Sequence, residues 1–169
     1  MNDVLGRWNN LKLEWAAEMI LPCCGSEAWA GELAARRPIP DEEALLAASD
    51  EVWKGLSESD WLEAFESHPR IGESRSEANT GRSEAWSKEE QQKAGAATED
   101  IKLALAEGNR MYEQKFHRTF IVCATGRSSE EILEILRRRL RNDDQTELLE
   151  AAEQQRQITQ LRLKKWLAL

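Results

Sequence analysis

His68 lies at the end of a short helical pattern, with Trp61 seven residues and Phe65 three residues before it. Because positions i, i+4 and i+7 share one face of a helix, the face that buries the two aromatic rings also carries the imidazole. Pro69 has no backbone N–H and disfavours helical geometry in the residue before it, so we expect the helix to end at or near His68. The negative end of the helix dipole favours a protonated imidazole, whereas burial favours a neutral one. The pattern therefore predicts either a proton-transferring histidine or a core histidine bonded to a carbonyl.

Arg162 interrupts an apolar stripe in the last predicted helix, because Ile158, Arg162 and Trp166 follow one another at intervals of four residues. An inward-facing arginine needs a partner, since an unpaired buried charge is very costly. Spacing alone leaves three possibilities open: a ligand with carboxylate or carbonyl groups, an internal acidic residue, or solvent reached by a packed side-chain stem.

Ser87 and Glu90 have the spacing of a capping box, which predicts that a helix begins at Ser87 and runs to about residue 97. The same pattern recurs at residues 57–60 and 128–131, so it has no catalytic specificity. A helix N-terminus still attracts anions, and a glutamate in its first turn can reach a neighbouring imidazole. Both the capping role and a role beside a catalytic histidine stay open.

Other catalytic templates are missing from the sequence. The two histidines, His68 and His117, form no His-Glu-x-x-His motif, and the three cysteines form no Cys-x-x-Cys motif, so we expect no metal site. Neither a glycine-rich phosphate loop nor a nucleophile elbow is present. We expect His117 to be a surface histidine at a helix C-terminus and the cysteines to be small packing residues.

Composition and charge limit the possible partners. The 169 residues carry a formal net charge of −8 and no long basic stripe, so binding to nucleic acid or to an anionic membrane is not expected. Three cysteines, an odd number, suit a reducing compartment. The sequence has neither a secretory signal nor an apolar run long enough to cross a membrane. We therefore expect a soluble cytoplasmic protein.

Helix-favouring residues dominate the sequence, which has only four prolines and nine glycines. We predict an all-α fold, a single compact domain over residues 1–169 with about seven or eight helices. Periodicity and capping residues place the helices at 10–21, 26–37, 41–56, 57–68, 87–97, 98–116, 128–142 and 146–166. The polar stretch 72–86 is a predicted loop and, because it follows His68, a candidate lid or site wall. The apolar run 120–124 is predicted to be a buried extended connector.

Several short motifs follow one another along the chain. In the first half they are Cys23-Cys24-Gly25-Ser26, Asp60-Trp61-Leu62, His68-Pro69-Arg70-Ile71-Gly72 and Ser87-x-x-Glu90-Gln91-x-x-Ala94-Gly95. In the second half they are Asn109-x-x-Tyr112-x-x-Lys115-Phe116, Phe120-Ile121-Val122-Cys123-Ala124, Gly126-Arg127-Ser128 and Ile158-x-x-Leu161-Arg162-Leu163. In this order the motifs resemble the 2-oxo-4-hydroxy-4-carboxy-5-ureidoimidazoline (OHCU) decarboxylases of urate breakdown. The resemblance covers nearly the whole chain, and the motifs together are far more specific than any one of them.

The resemblance implies an all-helical homodimer that needs no metal or organic cofactor and converts the small molecule OHCU to (S)-allantoin. It makes His68 the catalytic acid or base, with Pro69 fixing its position in the substrate site. Glu90 becomes the acidic partner of the imidazole. The other implied substrate contacts are Ser87, Gln91, Arg162 and the backbone of Phe120, Ile121 and Val122.

The chain departs from some members of the family after its His-Pro pair, where it has Arg70-Ile71-Gly72-Glu73 in place of Asp-Leu-Ala-Gly. This resembles a bacterial variant and leaves two roles for Arg70, a substrate contact or a loop charge, of which we favour the loop charge. Two other functions stay open. One is a non-catalytic helical module for binding or dimerisation, and the other is a hydrolase of a related ureide in which His68 and Glu90 activate water.

Overall fold

The computed structural model describes residues 2–71, 81–92 and 98–169. Within these ranges the chain forms nine α-helices and one 3₁₀ turn, and it forms no β-strand. The elements are α1 (Asp3–Asn9), α2 (Leu13–Ile20), the 3₁₀ turn (Leu21–Cys23), α3 (Glu27–Ala35), α4 (Glu42–Gly55), α5 (Glu58–Glu66), α6 (Gly81–Gln92), α7 (Glu99–Phe116), α8 (Ser129–Arg139) and α9 (Asp144–Leu167). None of the helices in these ranges is both long and apolar enough to cross a bilayer. The prediction of an all-α fold is confirmed, and the helix that the sequence did not predict is α1.

The chain divides into two compact units. The first unit comprises Met1–Ala64 and Arg156–Leu169, so it contains α1 to α4 and the C-terminal part of α9. The second unit comprises Phe65–Gln155 and contains α6 to α8 and the N-terminal part of α9. The single domain over 1–169 that we expected from the sequence stays a prediction.

Tryptophan side chains form the centre of the first unit. Trp8, Trp29 and Trp166 are fully buried, and the rings of Trp8 and Trp166 meet edge to face with their centroids 5.7 Å apart. The indole N–H groups of Trp8 and Trp29 have acceptors. Trp8 Nε1 donates to Ala16 O at 2.9 Å, and Trp29 Nε1 donates to Ser49 Oγ at 3.1 Å. Since an isolated helix as short as α1 is marginal in water, the burial of Trp8 is what holds it in place.

The second unit is built on the packing of α7 against α8 and against the connector 120–124. The core side chains of this unit are at most 7% exposed and comprise Leu105, Tyr112, Phe116, Phe120, Val122, Ala124, Ile132, Leu133 and Leu136. The ring of Tyr112 lies 4.7 Å from that of Phe116 and 5.3 Å from that of Phe120. The connector is neither helical nor a strand, and its five residues are all buried. The burial of the connector predicted from its apolar sequence is therefore confirmed.

The start of α6 differs from the prediction. The helix begins at Gly81, so the predicted helix start at Ser87 is wrong, and residues 81–86 are helical instead of forming a loop. Ser87 and Glu90 consequently lie inside the helix and do not form a capping box. A serine inside a helix costs at most about 0.7 kcal/mol relative to alanine, and the burial of Ser87 and of the preceding Trp86 outweighs that preference.

The two other predicted caps are present. Ser128 Oγ accepts from the N–H of Glu131 at 3.1 Å, and the Glu131 carboxylate accepts from the N–H of Ser128 at 3.4 Å. Ser57 and Asp60 make the same reciprocal pair of bonds before α5. Residues 72–80 of the candidate lid and the helix end predicted near residue 97 lie outside the described residues.

Candidate active site

His68 lies just after the C-terminus of α5, on the turn that leads into Pro69. Its backbone N–H donates to Phe65 O at 3.2 Å, which closes the turn. The helix therefore ends near His68, as Pro69 predicted. His68 is only 9% exposed and Pro69 is also buried, so the polar atoms of the imidazole depend on partners inside the protein.

Gln155 makes a hydrogen bond with the imidazole ring. Its Oε1 lies 2.6 Å from Nε2 of His68, across 87 residues of sequence, and Gln155 itself is fully buried in α9. Gln155 is not among the site residues predicted from the sequence. A signal was available, since Gln155 lies seven residues before Arg162 and therefore on the same helix face.

Ser87 and Glu90 are three residues apart in α6, so their side chains leave the same face of the helix. Both are buried, with 3% and 8% of their surface exposed. Both belong to the second unit, as does His68. Gln91 follows on the same helix, but its side chain lies outside the part of the structure that is described.

The connector that holds Phe120, Ile121 and Val122 is fixed by hydrogen bonds to its backbone. Ile121 O accepts from Nη1 of Arg139 at 2.5 Å, and the N–H of Cys123 donates to Oε1 of Gln154 at 2.9 Å. All three connector residues are at most 5% exposed. The family resemblance implies that this backbone lines a pocket, which stays a prediction, and the side chains of α8 and α9 set the position of the backbone.

Arg139 belongs to a buried polar network that spacing did not reveal. Its partner Glu147 also accepts from the hydroxyl of Tyr112 at 2.7 Å and from Nδ2 of Asn142 at 3.0 Å. Burial, together with the negative charge of Glu147, raises the pKa of Tyr112 far above its ordinary value. Tyr112 therefore stays a neutral hydrogen-bond donor at physiological pH and has no acid–base role there.

Arg162 lies in the first unit and is fully buried, as the apolar stripe predicted. Its Nη1 donates to Pro22 O at 3.3 Å. In the same unit, burial raises the pKa of the Cys24 thiol to about 12, against the lowering effects of hydrogen bonds with Ser26 and Thr159 and of the Arg162 charge. A thiol with so high a pKa stays protonated at neutral pH and is not a nucleophile, which fits the packing role predicted for it.

Arg70 makes a two-pronged ion pair with Glu113 on α7, through its Nε and through its Nη2, the latter at 3.0 Å. Asn109, one turn earlier on α7, donates to Ile71 O at 3.2 Å. Together these bonds attach the segment that follows Pro69 to α7. The favoured role of Arg70 as a loop charge is thus refined, since the charge anchors the segment next to His68.

The arrangement can carry acid–base chemistry. A buried imidazole with one ring nitrogen fixed by an amide, in the same unit as a buried carboxylate, is suited to the transfer of a single proton. Among the residues that the structure describes, no group of three or more His, Cys, Asp or Glu side chains could hold a metal ion.

Known proteins are similar to this chain in sequence and in fold. The sequence matches the OHCU decarboxylase family over residues 9–164. It is 39% identical over 144 residues to the Uric acid degradation bifunctional protein TTL of Arabidopsis thaliana. The aligned region covers 85% of this chain and 44% of that protein. It is also 28% identical over 141 residues to the Uric acid degradation bifunctional protein of Bacillus sp. (strain TB-90). That aligned region covers 82% of this chain and 27% of that protein. The chain thus spans less than half the length of either relative.

Two solved structures are similar to this one. The crystal structure of OHCU decarboxylase in the presence of (S)-allantoin aligns with a TM-score of 0.77 and 32% identity, over 94% of this chain and 100% of that one. The crystal structure of (S)-allantoin synthase aligns with a TM-score of 0.71 over 96% of this chain and 53% of that one, and at 17% identity it supports the fold alone. The match of its sequence to the family, together with the order of its motifs, shows that the chain belongs to the OHCU decarboxylase family.

Proposed function

We propose that this chain catalyses the cofactor-independent decarboxylation of OHCU to (S)-allantoin in urate catabolism. The family match over residues 9–164 and the similarity to a decarboxylase solved with (S)-allantoin support the proposal. The structural observation that carries it is the buried His68, whose Nε2 is held by a hydrogen bond. An imidazole fixed in this way can move a proton at a defined position.

The chemistry of OHCU needs no cofactor to accept electrons. Its departing carboxylate is attached to a carbon next to a C=N group, so the electron pair of the breaking C–C bond moves into that imine as CO₂ leaves. A proton is then added to balance the new negative charge, and addition from one face gives a single enantiomer. The tasks left to the protein are to orient the substrate, to desolvate its carboxylate and to move protons.

In this proposal His68 exchanges the proton of the substrate hydroxyl or of a ring nitrogen, a role that typically accelerates a reaction about 10²–10⁴-fold. Glu90 is its acidic partner and stabilises the imidazolium that forms. A buried carboxylate acts strongly in this way, because a charge in a low-dielectric environment is weakly screened. Pro69 fixes the position of His68 by preventing continuation of α5.

The remaining assigned residues bind the substrate. Ser87 and Gln91 on α6 hold it by hydrogen bonds, and the backbone of Phe120, Ile121 and Val122 lines the pocket. Arg162 contacts the substrate and stabilises the negative charge that develops on it. The hydrogen bonds that fix the connector backbone support its role as a pocket wall, since a pre-organised wall does not have to be ordered when the substrate binds.

We further propose that the protein acts as a homodimer, as the family resemblance implies, and that it is cytoplasmic, as its cysteine content favours. Light scattering coupled to size-exclusion chromatography tests whether the protein is a dimer, with an expected mass of twice 19.3 kDa. A mass of one chain across the tested concentrations would contradict it.

The activity is tested by generating OHCU in situ from urate with the two preceding enzymes and following circular dichroism. We expect one enantiomer of allantoin to appear rapidly, with release of CO₂, only when this protein is present. Racemic allantoin at the spontaneous rate would support the non-catalytic module instead. Consumption of OHCU without release of CO₂ would support the hydrolase.

The matched pair His68→Asn and His117→Asn tests the assigned acid–base residue. His117 is exposed and has a φ of 58°, a left-handed conformation that asparagine adopts readily, so this replacement leaves the fold and the rate unchanged. We expect His68→Asn to lose about 10²-fold or more in kcat while it stays folded. A His68→Asn variant that keeps more than a few per cent of the rate would remove His68 from the mechanism.

A further inference from the structure

We propose that Gln155 is a positioning residue: its amide oxygen keeps a proton on Nε2 of His68, so that His68 exchanges protons through Nδ1. The inference rests on the proposed function, because it concerns the histidine assigned to catalysis there. It adds a residue from α9 and names the reactive nitrogen of the ring.

Because the amide oxygen of Gln155 faces the ring, Nε2 of His68 is the donor. Nε2 of His68 lies 2.6 Å from Oε1 of Gln155, a short distance for a hydrogen bond between nitrogen and oxygen. An amide oxygen has lone pairs and no hydrogen, so the bond requires a hydrogen on Nε2. Gln155 is fully buried and His68 is 9% exposed, so a lost bond would leave a buried polar group without its partner, which is costly.

This orientation of the amide also suits both charge states of the ring. A neutral imidazole with its hydrogen on Nε2 donates to the oxygen, and an imidazolium ion donates in the same way. With the amide nitrogen turned towards Nε2, protonation of the ring would place two donors against each other in a buried site. A ring that gains and loses its proton at Nδ1 therefore keeps the same bond to Gln155 throughout a reaction cycle.

Gln155 also sits on a rigid element that fixes a second part of the site. It lies well inside α9, a helix of 24 residues, and the adjacent Gln154 accepts the N–H of Cys123 from the connector. Two consecutive glutamines thus hold His68 and the end of the connector, both within the second unit. Positions set by the same helical turn cannot drift apart without distorting that helix.

The tautomer is measured directly by NMR on protein labelled with ¹⁵N-histidine, in spectra that correlate the ring nitrogens with the ring protons. The chain has only two histidines, so the His68→Asn variant assigns both sets of signals. At a pH where the ring is neutral, we expect Nε2 of His68 to give the signal of a protonated nitrogen and Nδ1 that of an unprotonated one. The opposite pattern would overturn the proposal.

Two substitutions separate positioning from general stability. Gln155→Met removes the acceptor at similar volume, and we expect a mixture of tautomers and a fall in kcat of about 10- to 100-fold. Gln155→Glu retains an acceptor oxygen, so it should retain the hydrogen on Nε2. If Gln155→Met changes neither the tautomer nor kcat, the inference fails, and if it does not fold, the native protein and Gln155→Glu still decide the tautomer.

The matched control is Gln160→Met on the same helix. The amide of Gln160 donates to Leu46 O at 3.0 Å and to Asp50 Oδ1 at 2.7 Å, so its loss should lower Tm without changing the His68 spectrum or kcat. A native protein with no decarboxylase activity would overturn the proposed function, and the NMR measurement would still establish the tautomer. An active native protein with its hydrogen on Nδ1 would overturn the present inference alone.

Discussion

Arg139 and Glu147 form an ion pair in which both side chains are fully buried, with Nε of the arginine donating to Oε1 of the glutamate at 2.8 Å. The pair joins the last turn of α8 to the first turn of α9. Each partner makes further hydrogen bonds, the arginine to Ile121 O and the glutamate to the hydroxyl of Tyr112. A buried ion pair is stable only when its remaining polar atoms are satisfied in this way. The pair therefore fixes the connector as well as the two helices.

We predict that Arg139→Met destabilises the protein strongly. The substitution leaves the carboxylate of Glu147 buried without its cation, a change that typically costs about 3–5 kcal/mol. The midpoint of urea unfolding measures the loss. The connector backbone also loses the donor at Ile121 O, so KM for OHCU should rise in the fraction that stays folded.

The control for this prediction is Arg36→Met, which breaks the ion pair of Arg36 with Glu51. The side chains of that pair are 41% and 71% exposed, so the loss should be no more than about 1 kcal/mol. The double variant Arg139→Met with Glu147→Leu should recover part of the stability, because no unpaired charge is then left buried. An Arg139→Met variant as stable as Arg36→Met would show that the buried pair contributes little.

Local signals predicted much of the fold correctly. The caps at Ser57 and Ser128 and the end of α5 before Pro69 depend on residues within four positions of one another, so the sequence carries them directly. The predicted start of α6 at Ser87 was wrong because a serine followed by a glutamate three residues later also fits inside a helix. The burial of Trp86, directly before Ser87, distinguishes the two cases, and burial is a tertiary property.

The polar contacts of the site could not be predicted in the same way. Gln155 lies in the run Gln154-Gln155-Arg156-Gln157, whose composition is typical of a solvated helix face, and its partner His68 is 87 residues away. Glu147 and Arg139 resemble the many exposed charges of this chain until the packing of α7, α8 and α9 is known. Periodicity identified Arg162 because its neighbours on the stripe are apolar. Gln155 lies on the same helix face as Ile158 and Arg162, but its direct sequence neighbours are polar and concealed that signal.

We predict that Cys24 lowers the stability of the protein at alkaline pH. Burial raises the pKa of its thiol from an ordinary value of 9.0 to about 12, so below pH 9 both the folded and the unfolded chain hold the proton. As the pH rises from 9 towards 12, only the unfolded chain loses it, and the free energy of unfolding falls by up to about 1.4 kcal/mol per pH unit. Urea unfolding at a series of pH values, compared with Cys24→Ala, isolates this effect. Equal slopes above pH 9 in both proteins would contradict it.

We predict opposite effects of alanine at two helical glycines. At Gly108 in α7, an added Cβ would lie 2.6 Å from Cδ2 of Leu136, which is fully buried on α8 and has little room to move. The cost of overpacking, about 1–3 kcal/mol, should exceed the gain of about 1 kcal/mol in helix propensity, so Gly108→Ala lowers Tm. At Gly31 in α3 nothing lies within 4 Å of the added atom, so Gly31→Ala should raise Tm. A Gly108→Ala variant that is more stable than the native protein would show that Leu136 can move aside.

We predict that Arg162→Lys impairs catalysis more than it impairs folding. Lysine keeps the positive charge but lacks the planar set of N–H donors, so a substrate contact through the guanidinium would be weakened. If Arg162 stabilises charge on the substrate as proposed, kcat/KM should fall by about 10²-fold, as for the loss of one such donor in other enzymes. Steady-state kinetics and thermal unfolding of the same preparation measure the two effects together.

The control for Arg162→Lys is Arg156→Lys, one turn and a half earlier on the same helix. Arg156 forms an ion pair with Asp50 at 3.2 Å, which lysine can also form, so Tm and kcat/KM should both stay close to the native values. The comparison removes the general effect of replacing an arginine in α9. An Arg162→Lys variant with a lower Tm and a native kcat/KM would assign to this arginine a purely structural role, in which its bond to Pro22 O holds α9 against the 3₁₀ turn.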